Sequence, residues 1–276
     1  MPELPEVETV RRGLAAAMEG HVFVRAKMHR ANLRFPFPDG FGQHLIGKTV
    51  KKLGRRAKFL LIIFDDGAVL ISHLGMSGSY RIYDSSPPPL DKHDHVVFNI
   101  SNGFEIRYND PRRFGFMDLT TVTEMAEHPM LSKIGPEPIC PRLSGPELAA
   151  RLKGRSAAIK TALLDQSVIA GIGNIYASEA LFMAGISPKR KASGVQGKRA
   201  EKLAAAIHEV LIKAIEAGGA SLKDHRQTSG ELGYFQHSFQ VYGRAGKPCS
   251  VCGPGVLVSQ ITQSGRATFF CSRCQK

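Results

Sequence analysis

Pro2 and Glu3 open the chain, in the run Met1-Pro2-Glu3-Leu4-Pro5-Glu6. Removal of Met1, which a small second residue permits, leaves Pro2 as a secondary amine beside a carboxylate. Such an amine adds to a sugar or aldehyde carbon and forms an iminium without losing a further proton, the electron sink that Schiff-base lysines provide. Many chains begin Met-Pro with no catalytic purpose, and Pro5 reads simply as a first-turn helix proline. What the rest of the chain is built to hold therefore decides the weight of this pair. At the other end, Cys249-x2-Cys252 and Cys271-x2-Cys274 form two knuckles separated by 18 residues. That spacing sets four thiolates tetrahedrally around Zn²⁺ and leaves no ligand position open, so the metal is expected to be structural.

Between the cysteine pairs, Gly265-Arg266 stands just before Phe269-Phe270, and an arginine on a rigid hairpin is at least a phosphate contact. Leu163-Leu164-Asp165-Gln166, Ala170-Gly171-Ile172-Gly173-Asn174-Ile175-Tyr176 and Glu179-Ala180-Leu181 read as helix, tight turn, helix. Asn174 is the expected N-cap, and Gly185 with Pro188 the expected stop. Glycines there let backbone approach a ligand, and a helix N-terminus offers N–H groups to an anion, though a plain helical hairpin has the same shape. His73-Leu74-Gly75-Met76-Ser77-Gly78 and Asp110-Pro111-Arg112-Arg113-Phe114-Gly115 each close a strand. Met76 and Phe114 are either core lids or, if exposed beside a basic groove, wedges that hold a duplex open when a base leaves the stack. Arg112 could then pair with the orphaned base.

These groups need elements to position them. Val7, Val10, Leu14 and Met18 recur at helical spacing between Pro5 and Gly20, predicting a helix over 5–19 that holds the N-terminus in place. From about 21 to 118 the pattern is strand-like. Phe59–Phe64 is a buried run, Asp66-Gly67 turns into Ala68–Ile71, and Asn102-Gly103 between two strands predicts a type I′ turn. Such short strands suggest a sandwich or barrel. A proline-rich linker spans 128–146. After it Leu203, Ile207, Val210, Leu211 and Ala214 form one apolar helical stripe that ends at Gly218-Gly219. The tail from about 240 is too small for its own core and needs a metal staple.

Lys and Arg total 37 against 24 Asp and Glu, a net charge of +13. No acid occurs between Asp39 and Asp65 or after Glu231, while basic residues cluster in both stretches. Two such runs far apart in sequence point to a polyanion, and nucleic acid is the expected partner. A 43% hydrophobic share argues against disorder. No apolar run approaches membrane-spanning length and no signal peptide is evident, so a soluble cytoplasmic protein is expected, with Cys140 an ordinary free thiol.

With these residues assembled, the chain resembles bacterial formamidopyrimidine-DNA glycosylase from end to end. The resemblance rests on Pro2–Glu8, Arg55-Arg56-Ala57-Lys58, Lys92-His93-Asp94-His95, Asp110–Gly115, Gly173-Asn174-Ile175-Tyr176, Val241-Tyr242-Gly243-Arg244 and the four-cysteine tail. It implies an α+β multidomain fold: an N-terminal helix with a β-sandwich over 1–130, a helix-two-turn-helix region over 131–240, and a zinc-finger β-hairpin over 241–276. DNA would lie in the cleft between the lobes. It further implies excision of 8-oxoguanine and formamidopyrimidines from damaged duplex DNA, followed by strand cleavage. Pro2 would attack C1′ and Glu3 would help open the sugar at O4′, with Lys58 assisting β-elimination and Arg266 δ-elimination. Chemistry favours Lys58 and Arg266 as cations that stabilise leaving phosphates, since an arginine hardly yields a proton.

By the same resemblance His93, Arg112, Arg155, Lys160, Asn174 and Tyr242 contact DNA, and Met76, Arg112 and Phe114 fill the space of the flipped base. The stretch Ser221–Phe239 would cap the extruded purine. Glu6 and Glu179 would organise the site, and His73 and His95 read as structural hydrogen-bonders. One structural Zn²⁺, no small-molecule cofactor and a monomer are expected. The 18-residue spacing exceeds the family's slightly, with the extra length placed at Gly253-Pro254-Gly255 and the register of Gly265-Arg266 expected to survive. The nearest alternative is an endonuclease VIII-like enzyme for oxidised pyrimidines, against which Leu4-Pro5 and the capping stretch argue. A non-enzymatic zinc-ribbon DNA-binding protein, in which Pro2 is incidental, and a tautomerase that uses Pro2 as a base are the others.

Overall fold

A computed structural model describes every residue except Met1, Ser85, 221–227 and 229–232. The chain forms two compact units. The first holds Met1–Ser132 and Ala217–Tyr234, the second Lys133–Glu216 and Phe235–Lys276. The three-segment division read from sequence thus differs at 217–234, which returns to the first unit, while the cysteine tail clusters with the helices.

The first unit begins with helix α1 (Leu4–Met18), whose Val7, Val10, Leu14 and Met18 are all buried, as the spacing predicts. Strand β1 (Phe23–Met28) and a short helix α2 (Phe41–Leu45) follow. Then come β2 (Val50–Arg56), β3 (Phe59–Phe64), β4 (Ala68–His73), β5 (Ser79–Tyr83), β6 (Asp94–Ile100), β7 (Glu105–Asn109) and β8 (Phe116–Thr121). These make two antiparallel sheets, ordered β1-β6-β7-β5 and β2-β3-β4-β8. Their inner faces share one core with α1, in which Phe23 meets Phe64 edge-on at 5.3 Å between ring centroids. That is a sandwich, since alternate residues of each strand face the other sheet.

One turn differs from its prediction. Between β6 and β7 only Gly103 of the Asn102-Gly103 pair has positive φ, at 92°. Gly103 N donates to Ile100 O, and Ile100 N to Phe104 O, giving a turn followed by a left-handed glycine rather than type I′. The reason is tertiary: the Asn102 amide donates to Ala17 O at the end of α1.

The second unit contains α3 (Gly145–Leu152), α4 (Ile159–Leu164), α5 (Asn174–Met183) and α6 (Lys198–Glu216), with the predicted stripe of α6 buried. Its tail forms β9 (Pro248–Cys249) with β10 (Gly253–Leu257), and β11 (Ser259–Gln263) with β12 (Arg266–Phe270). Among the described residues no helix is long and apolar enough to cross a membrane.

Candidate active site and metal centre

In the first unit, Pro2 and Glu3 are buried at the start of α1. Glu3 N donates to Glu6 Oε2 at 2.8 Å, closing the first turn, and Glu6 Oε1 accepts from Ala220 N at 2.8 Å. One carboxylate therefore ties the helix start to the returning segment. Gly219, at φ 81°, lets that segment come close, since a Cβ there would stand 3.1 Å from Glu6 Oε1. Further along α1, Glu8 receives Arg11, Arg12 and Arg55. These partners hold its carboxyl below the usual range against the opposing effect of burial, the largest single influence. Arg55 also donates to Ala57 O at 2.9 Å. Ala57, at φ 52°, and the buried Lys58 make the two-residue turn from β2 to β3. Glu8 thus fixes the turn that carries Lys58 relative to the helix that carries Pro2.

His73 ends β4 opposite Phe59 and packs between Phe59 and Phe116. Burial, then the charges of Lys58 and Arg34, push its pKa down to about 4, so the ring is neutral. Its Nδ1 accepts from Gly75 N at 3.0 Å, as a structural histidine would.

Asp110, fully buried, organises the two glycine-rich strand ends. Its carboxylate accepts from Ser77 Oγ at 2.6 Å and from Gly115 N at 2.9 Å, and Ser77 Oγ accepts from Arg112 N at 3.1 Å. Asp110 N donates to His93 O, and His95 Nε2 meets Asp110 O at 2.9 Å. The loops touch backbone to backbone: a Cβ on Gly75 would lie 2.3 Å from Phe114 C. Met76, His93, Arg112 and Phe114 are thereby gathered around one buried carboxylate. Met76 is 36% and Phe114 43% exposed, which decides against core lids, and Arg112 lies over the Phe114 ring at 4.8 Å. Asp110 and Ser77 lie in the sequence motifs, but neither shows its role there; a carboxylate beside proline at a strand end is the available signal.

In the second unit Asn174 is not the N-cap of α5. Gly173 occupies that place, and Asn174 is the first helical residue. Its side chain is drawn elsewhere: Oδ1 accepts from Lys160 Nζ at 2.6 Å and Nδ2 donates to Ala267 O at 3.0 Å. Lys160, fully buried, also donates to Thr268 Oγ1 at 2.7 Å and Ala267 O at 3.0 Å. The helical hairpin and β12 are locked together beside Arg266. Ser264 (φ 48°) and Gly265 (φ 71°) form a tight two-residue turn, with Gln263 opposite Arg266, which is exposed. The β11–β12 ladder is unbroken, and the irregular register falls between Gly253 and Leu257, where the extra length was placed. Glu179 accepts from the N–H groups of Gln240, Val241 and Tyr242 at 2.8–3.0 Å, setting the turn from which Tyr242 projects against Phe239 and Phe269. Burial nevertheless raises its carboxyl, outweighing the three donors. Arg155 pairs with Asp165 at 2.9 Å. The capping stretch Ser221–Phe239 is described only at Thr228 and from Gly233 on; the rest lies outside the described residues.

The thiols of Cys249, Cys252, Cys271 and Cys274 all lie within 4.8 Å of one another and could hold a metal ion. Cys249–Cys274 and Cys252–Cys271 are each 3.8 Å apart. Four sulfurs at about 2.3 Å from a tetrahedral ion stand about 3.8 Å apart, so the cluster has the size of a zinc-finger centre.

Family models match at two places, the formamidopyrimidine-DNA glycosylase N-terminal domain over residues 1–117 and the formamidopyrimidine-DNA glycosylase H2TH domain over 134–226. A formamidopyrimidine-DNA glycosylase of Ruegeria pomeroyi is 52% identical and one of Beijerinckia indica 54%, each over the whole of both chains. Among solved structures, Lactococcus lactis Fpg in complex with abasic-site DNA matches with a TM-score of 0.90 at 35% identity, covering 99% of each chain. MutM (Fpg) from Thermus thermophilus matches at 0.87 and 38%, covering 99% of this chain and 98% of that one. The chain belongs to the formamidopyrimidine-DNA glycosylase family.

Proposed function

We propose that this protein is a base-excision-repair DNA glycosylase and AP lyase that removes 8-oxoguanine and formamidopyrimidines from damaged double-stranded DNA. The observation that carries the reading is the Pro2-Glu3 terminus, buried on a helix that Glu6 and Glu8 anchor at its start and against β2. A nucleophile must be held, since attack requires near-contact geometry and a frayed end would lose it to entropy. Once Met1 is removed, the Pro2 nitrogen attacks C1′ as the glycosidic bond breaks, its N–H proton passes to the departing purine, and Glu3 delivers a proton to O4′ as the nitrogen lone pair opens the ring to the iminium. The resulting iminium acidifies C2′, so β-elimination cuts the strand on the 3′ side and δ-elimination on the 5′ side. Lys58 and Arg266 stabilise the departing phosphates.

Met76, Arg112 and Phe114 supply the wedge. Exposed apolar side chains on loops braced by Asp110 can fill the place of a base, as unstacked duplexes require. His93, Arg155, Lys160, Asn174 and Tyr242 hold the DNA strand. Cys249, Cys252, Cys271 and Cys274 hold one Zn²⁺, which supplies fold stability to a hairpin too small for a core and takes no part in the chemistry.

Borohydride trapping on a duplex carrying 8-oxoguanine opposite cytosine, with peptide mapping, tests the reading. The expected adduct is an N-terminal peptide that begins at Pro2. No adduct from correctly processed, DNA-binding protein would sink the iminium mechanism. Faster release from a thymine-glycol duplex would move the substrate to oxidised pyrimidines.

A further inference from the structure

A third acid-free stretch, from Ala180 to Ala200, is used by none of the chemistry above, yet it carries Lys189, Arg190, Lys191, Lys198 and Arg199. Its first half is not a loose loop. Ile159 N donates to Arg190 O at 2.7 Å, Ala192 N to Ala157 O at 2.9 Å and Ser193 N to Arg155 O at 3.0 Å, with a bridge between Ala158 and Lys191. Two short segments, 155–159 and 190–193, therefore run antiparallel immediately before α4. They are also pinned to the finger: Gln263 donates to Pro188 O at 3.1 Å, and Lys189 Nζ lies 5.0 Å from the Phe270 ring centre.

The paired segments and their flanks bring Lys153, Arg155, Lys189, Arg190 and Lys191 onto one rigid support, where Arg155 pairs with Asp165 and Arg190 Nε donates to Lys276 O at 3.3 Å. Lys153 and Lys191 are exposed, and no ion pair to either occurs among the described residues. A solvated basic run gains nothing from a backbone that fixes where each of its side chains begins. A surface that meets a phosphate strand does, because a segment that had to order its backbone at the moment of binding would lose affinity. The site it adjoins holds Arg155 and Lys160, to which a DNA strand is already assigned.

We propose that the ridge Lys153–Lys189–Lys191 is an additional phosphate-binding surface, engaging duplex DNA backbone beyond the contacts of Arg155, Lys160 and Asn174. This rests on the DNA reading given above. Its function is sequence-independent hold on flanking duplex, which supplies affinity and register without reading bases.

The test is the salt dependence of binding of the full-length protein to an undamaged duplex of about 30 base pairs, long enough to span several turns. Lys153→Gln and Lys191→Gln remove charge without removing a side-chain bond, and Arg25→Gln with Lys27→Gln, on the face of β1, provides the same charge change elsewhere. Each lost phosphate contact lowers the slope of log K against log salt by about 0.9. The Lys153→Gln/Lys191→Gln pair is expected to lower it by about 1–2, and the β1 pair to leave it within experimental scatter. An unchanged slope in the ridge pair, or an equal fall in both pairs, would overturn the ridge while leaving lesion excision intact. No duplex binding by the unaltered protein would overturn the DNA reading itself.

Discussion

Replacing Asp110 by alanine should destabilise the first unit by about 4 kcal/mol. The carboxylate is fully buried and accepts from Ser77 Oγ at 2.6 Å and Gly115 N at 2.9 Å, with a long third approach from Tyr108 Oη at 3.4 Å. A hydrogen bond to a charged acceptor contributes roughly 1.5–3 kcal/mol, so the two short ones together contribute about 3–6, and water entering the vacated space offsets part of that. For a unit of about 150 residues this lowers Tm by roughly 10 °C. Circular dichroism is the natural probe, because the chain has no tryptophan. Asp110→Asn keeps one acceptor oxygen and turns an NH2 toward the other donor, so it should recover about half of the loss. The same alanine variant should weaken lesion-duplex binding, since Asp110 braces both loops that carry Met76, Arg112 and Phe114. A Tm shift below about 3 °C, or an asparagine variant as damaged as alanine, would refute the brace.

His73 gives a pH prediction. Its folded pKa of about 4 lies below the unfolded value, so its contribution is complete above about pH 6.5 and falls as pH drops toward 4, by roughly 3 kcal/mol at the limit. Urea midpoints at pH 7.5 and 5 should differ more for the native protein than for His73→Gln; equal differences would refute it. Lys160→Met should cost about 2–4 kcal/mol in the second unit, because Thr268, Asn174 and Ala267 O lose a charged donor. Amide exchange should quicken in β12, and exchange unchanged there would refute the lock. If the four thiols hold Zn²⁺ as proposed, a chelator should abolish the structure of 248–274 while leaving the melting of the first unit within about 2 °C, read by exchange and calorimetry.

Much of the site could be read from residue types alone, wherever the chemistry is local. Helix α1 followed from apolar spacing, the cluster of four thiols that could hold a metal from two Cys-x2-Cys pairs, and the strand runs of β3 and β4 from buried apolar residues, because each is dictated over a few neighbouring positions. The motifs that hold Met76 and Phe114 were also legible, but whether the two side chains are buried or exposed was not. Their exposure depends on how two loops 35 residues apart close on Asp110. Asn174 and Asn102 show the same limit from the other side. Each has the residue type of a local cap or turn, and each instead spends its amide on a distant carbonyl, Ala267 O and Ala17 O. A side chain with both a donor and an acceptor satisfies whichever partner the packing brings, and sequence spacing does not contain that partner. The paired basic segments 155–159 and 190–193 belong to this second class: composition supplied the charges, and only backbone pairing across the fold made them one surface.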